Sequence, residues 1–140
     1  MVMFFKKDKD SNENDDLIKV AALLIHAAKI DENYSTHEKE IIKQTLLKIG
    51  ANDKNIEKIM NHGNEIEQSS NQILDFTKEV KNMNNENKIL IVETLWRIIY
   101  SNKEADMYET SLMRRLGGLL YIDNKIMGDI KNKIKNENLK

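Results

Sequence analysis

The chain of 140 residues has no cysteine, no proline, only five glycines and 6% aromatic residues. Without cysteine there can be no disulfide, no thiolate metal site and no cysteine nucleophile, so any bound metal must be held by oxygen and imidazole. The same absence fits a reducing compartment, and the cytoplasm is the expected location. With no proline and little glycine, the turn-rich composition of a sandwich or barrel is missing, and helices are favoured. An excess of one charge is missing as well. The 22 basic and 23 acidic residues leave a formal net charge of -1, so no global field concentrates a polyanion, and nucleic acid is not an expected partner. No apolar run reaches the ~20 residues that span a bilayer. The two longest, IKVAALLIHAAKI and ILIVETLWRIIY, are both broken by polar or charged residues. The chain also lacks a nucleophile elbow, a P-loop, a dinucleotide fingerprint, an HExxH pair and an EF-hand loop, so an enzyme is not expected.

What is present is a 40% hydrophobic content, enough for one core in a chain of this length. Residues 1–16 include the polar run KKDKDSNENDD and read as a flexible leader before a helical domain over 17–140. The opening MVMFFKK has the wrong order and length for a secretory signal. Peripheral membrane contact through residues 1–7 is the alternative to a frayed terminus there.

Asp15 or Asp16 is placed to cap a helix over about 16–30, which is apolar nearly all round and therefore central in a bundle. Ser35 and Glu38 have capping-box spacing, so a second helix starts at Thr36, and Gly50 stops it. Asp53 is the expected cap of a third helix, bent or ended near His62 and Gly63. A fourth is expected over about 70–82.

Sliding the chain on itself by 71 positions lays Glu38 on Glu109, Ile25 on Trp96, Ile41 on Leu112 and Asn52 on Asp123. The register runs without a gap over about 21–54 against 92–125, and Asp106 with Glu109 repeats the box spacing. The second copy predicts helices over 85–101, 106–121 and 123–136. The expected fold is all-α, a single compact bundle of about seven helices with an internal pseudo-repeat.

The two acidic stretches, KIDENYSTHEKEII and YSNKEADMYETSLM, take equivalent places in the two copies. Asp31, Glu32, Glu38, Asn102, Glu104 and Glu109 supply oxygen donors for a divalent cation if the two loops converge. His37 adds an imidazole. The competing reading makes Glu38 and Glu109 helix caps and the other first-turn acids partners of the helix dipole. The sequence specifies no cofactor. The one its acidic set admits is a divalent cation: Ca²⁺, Mg²⁺, Zn²⁺ or Mn²⁺. Glu93 and Arg97, four apart on a mostly apolar helix, form either an intrahelical pair or a charged groove for a protein partner. Trp96 reads as core, and Arg114 and Arg115 as solvated.

AALLIHAAKIDENYSTHEKEII and VETLWRIIYSNKEADMYETSLMRRLGGLL resemble the two halves of the TerB-like family of tellurite-resistance proteins. The resemblance covers about residues 17–130. It is carried most specifically by Leu95-Trp96, by Asp106-Met107-Tyr108-Glu109 and by Arg114-Arg115. It implies a compact fold of about seven helices and a role in a bacterial stress response, with links to membrane-associated complexes. The family pattern Ala-Asp-Gly-x-apolar-x-x-x-Glu has acidic residues suspected of binding divalent metal. Asp31, Tyr34 and Glu38 take its Asp, apolar and Glu positions in the first copy, and Asn102, Ala105 and Glu109 in the second. The chain departs from the pattern at Glu32 and Lys103, which replace glycine, and at Asn102, which replaces Asp.

Overall fold

In a computed structural model of the chain, the residues described are 16–29, 35–69, 74–100 and 107–138. They form seven helices, with no strand among the described residues. These are α1 (16–29), α2 (Thr36–Ile49), α3 (Ile56–Ser69), α4 (Leu74–Val80), α5 (Asn85–Ile99), α6 (Met107–Leu119) and α7 (Asn124–Asn138).

The two helices with the most continuous apolar sequence lie at the centre. On α1, every residue from Val20 to Ile25 is shielded from solvent, as are Ala27 and Ala28. On α5, Ile91, Val92, Leu95, Trp96, Ile98 and Ile99 are buried. Each fully buried Leu or Ile contributes about 1.5–3 kcal/mol relative to exposure, so these two helices carry a large share of the apolar burial. α5 packs against α2 and α7, α2 against α3, and α4 against α6.

Gly63 lets α1 and α3 approach closely. A Cβ built at Gly63 would stand 2.7 Å from the Ala21 Cβ and 3.1 Å from the Ala22 backbone nitrogen. At the α2–α5 contact the Thr45 and Thr94 hydroxyl oxygens lie 2.6 Å apart in the core, and Thr94 Oγ1 also donates to the Leu90 carbonyl at 2.8 Å. With its single proton used there, Thr94 accepts from Thr45.

Helix ends follow the expected chemistry with three differences. Ser35 caps α2 with the complete box, and Gly50 ends it at φ 138°. Asn84 caps α5, its side chain accepting from the Asn87 N–H at 2.8 Å. The cap before α3 is Asn52 rather than Asp53: its side chain accepts from the N–H groups of Lys54 (2.9 Å) and Asn55 (3.1 Å). A side-chain oxygen must precede the amides it accepts from by two or three residues, and Asn52 has that spacing while Asp53 sits inside the turn. The third helix also continues through His62-Gly63 to Ser69, because Gly63 serves a close helix crossing and not a stop. α4 ends at Val80, two residues before the expected boundary.

The 71-position repeat is written into the backbone. The Ala51 N–H donates to the Leu46 carbonyl and the Ile122 N–H to that of Gly117, each at 2.9 Å. Ile56 bonds Asn52, and Met127 bonds Asp123, in the same manner and at the same 2.9 Å. Among the described residues, Gly50 and its counterpart Tyr121 are the ones with positive φ, at 138° and 57°. The buried positions Ile56, Ile59 and Gly63 map onto the buried Met127, Ile130 and Ile134, so the repeat extends through α3 and α7.

No helix among the described residues is long and apolar enough to cross a membrane. The expected leader over 1–16 lies outside the described residues except for Asp16.

Candidate functional site

Glu38 is the third residue of α2 and only 2% exposed. Its Oε1 accepts from the Ser35 backbone N–H at 3.1 Å and the Ser35 hydroxyl at 3.0 Å, while the Glu38 N–H donates to Ser35 Oγ at 3.2 Å. Its Oε2 is buried and has no hydrogen-bond partner among the described residues. A loop setting predicts solvated carboxylates for this stretch. Glu38 departs from that, because the box turns its side chain back over the helix start and into the bundle. One oxygen completes the cap and the other is left over, which is an expensive arrangement for a buried acceptor.

Glu109 is the third residue of α6, the position in the second copy that Glu38 holds in the first. Asp31, Glu32, Asn102 and Glu104 lie outside the described residues, as does Asp106 of the second box. His37 is exposed beside Glu38. Among the described residues, no three of His, Asp and Glu come together as a group that could hold a metal ion.

Glu93 and Arg97 form the intrahelical pair, with Arg97 Nη2 3.6 Å from Glu93 Oε2. Helix α7 closes over both. Lys133 Nζ donates to Glu93 Oε2 at 2.9 Å, and Arg97 reaches both oxygens of Glu137 at 3.3 Å. The stripe therefore faces α7, and the four side chains form a polar seam along the α5–α7 contact.

Two features escape sequence reasoning. The first joins α1 to α3: Lys29 Nζ donates to Glu67 Oε2 at 2.8 Å and to Asn64 Oδ1 at 2.9 Å, and His26 Nδ1 lies 3.4 Å from Glu67 Oε1. The second is a pair of clefts, one of about 270 Å³ between α2 and α3 and one of about 240 Å³ between α6 and α7, with Trp96 of α5 in its wall. Partners 35 to 41 positions apart leave no local signal. The clefts depend on how the helices pack, which no local pattern encodes.

The chain is thus an all-helical bundle with two related halves, each carrying an acid as the third residue of a helix, Glu38 of α2 and Glu109 of α6. The family model described as tellurite resistance protein TerB matches residues 17–132, and the chain belongs to that family. No curated protein and no solved structure matches the chain.

Proposed function

We propose that the protein is a non-catalytic, cytoplasmic binding domain of a bacterial stress response of the tellurite-resistance type, and that it binds a divalent cation or a basic partner at the start of α2. The observation that carries this reading is the buried Oε2 of Glu38, which has no partner among the described residues. A carboxylate oxygen withdrawn from water without a donor costs roughly 1–3 kcal/mol or more. A cation supplies what is missing, and the box already fixes the other oxygen so that the carboxylate cannot turn away. Asp31 and Glu32, a few residues upstream, provide further oxygens, and Asn102, Glu104 and Glu109 form the corresponding set in the second copy. Such a donor set suits a hard, oxygen-preferring ion.

A second reading rests on the complete Ser35–Glu38 box. Here the acids serve as helix caps and the domain is a protein-interaction scaffold without metal. Thermal melts of metal-stripped protein with Ca²⁺, Mg²⁺, Zn²⁺ or Mn²⁺ separate the two. An ion that binds only the native state stabilises it by about 2.7 kcal/mol at a hundred times its Kd, a Tm rise of several degrees. Ser35→Ala loses about 1 kcal/mol of cap stability but keeps the carboxylate, so it retains the ion-dependent rise. The Glu38→Gln, Glu109→Gln pair loses it. If no ion raises Tm, the scaffold reading stands.

A further inference from the structure

The repeat brings part of the two clefts into register. Lys43, Glu57 and Met60 of the first correspond to Arg114, Gly128 and Lys131 of the second. In the first cleft the cation is matched from within, since Lys43 Nζ lies 3.3 Å from Glu57 Oε1. In the second, the position of that acid is a glycine, and a Cβ built on Gly128 meets nothing within 4 Å. Arg114 has kept its charge and has no carboxylate partner among the described residues. Lys131 adds a second cation, its Nζ 5.5 Å from the centre of the Trp96 ring. Trp96 is 3% exposed, and its Nε1–H is buried without an acceptor among the described residues. Among the described residues lining the cleft none is acidic, and Met113 and Met127 complete an apolar wall.

We propose that the α6–α7 cleft binds a small carboxylate with an apolar body, the carboxylate sitting where Glu57 sits in the first copy, between Arg114 and Lys131. The body packs on the indole and the two methionines. A guanidinium fork recognises carboxylate and phosphate alike. The carboxylate is favoured because the side chain that the repeat removes is itself a carboxylate and because the wall is apolar. At about 240 Å³ the cleft lies below the usual range for drug-sized ligands, which limits the guest to a small acid. This site is independent of the one at Glu38.

Trp96 is the single tryptophan of the chain, so its indole N–H gives one side-chain signal that reports on the cleft directly. The experiment titrates sodium benzoate into the ¹⁵N-labelled full chain and follows that signal, with benzamide and inorganic phosphate as comparison probes. A saturable shift with benzoate is expected, at a Kd on the order of millimolar for so small a ligand. Benzamide and phosphate should give none. Arg114→Gln should weaken binding about tenfold by removing a charge-assisted contact. Gly128→Glu should abolish it by restoring the internal carboxylate, and it replaces a mid-helix glycine with a better helix former, so the fold is retained. Should that variant not fold, Arg114→Gln decides the matter alone, since Arg114 is exposed. The proposal is overturned if benzoate gives no saturable shift, if benzamide or phosphate binds as tightly, or if Arg114→Gln binds benzoate as the wild type does.

Discussion

Tyr100 closes α5 with its ring stacked on Trp96, the centroids 5.6 Å apart and the planes inclined by 23°. Burial raises its phenol above the ordinary value of 10.0, because the phenolate would lose its hydration there. A raised native pKa means that the folded state holds the proton more tightly than the unfolded chain does. The associated stability is complete below the unfolded value and is lost as pH climbs toward and through the folded one. Urea melts should therefore show the wild type losing stability relative to Tyr100→Phe from about pH 10 upward, with a constant difference at lower pH. A difference that stays flat across that range would remove the desolvation argument. At this scale the sequence is legible wherever a residue acts on its neighbours. Ser35 and Glu38 announce their box by spacing alone. The orphan oxygen of Glu38 and the orphan N–H of Trp96 depend on what distant helices bring over them, and no local pattern encodes that.

The α1–α3 crossing is set by how little stands between the two backbones. Gly63→Ala places a methyl 2.7 Å from the Ala21 Cβ, and backbone must move because neither partner has a flexible end to yield. A loss of about 1–3 kcal/mol is expected, read as a lowered Tm. Gly118→Ala is the natural control. That glycine is also helical, and a methyl there would have nothing within 4 Å, so Ala should raise stability by up to about 1 kcal/mol through helix propensity. Equal effects in the two variants would mean that crowding does not matter at the crossing. Gly63 also shows where a sequence misleads. Next to His62 it looks like a breaker, and only the identity of the opposing residues, Ala21 and Ala22, reveals it as a contact. Helix starts are more legible because a cap is a local device. Asn52 lies one residue from the expected cap, in a turn that offers two adjacent candidates.

The bundle as a whole is legible because its signals are redundant: apolar periodicity, caps and the 71-position register all point to one arrangement. The architecture places α1 and α5 at the centre. Their amides should exchange with solvent slowest, approaching the rate set by global unfolding, while the seven-residue α4 exchanges faster. Native-state hydrogen exchange checks this, and amides of α7 outlasting those of α5 would show a different centre. A bundle of two similar halves faces a hazard that unlike halves avoid, since each hairpin resembles the other enough to dock in its place. The hydroxyl contact of Thr45 with Thr94 bears on that hazard. The corresponding residues in the opposite copies are Leu116 and Leu23, both fully buried. Pairing two copies of the same half, one from each of two chains, would set the Thr45 hydroxyl against Leu23 or the Thr94 hydroxyl against Leu116. Two oxygen atoms thus act as an address, telling the halves apart during assembly where their apolar surfaces do not.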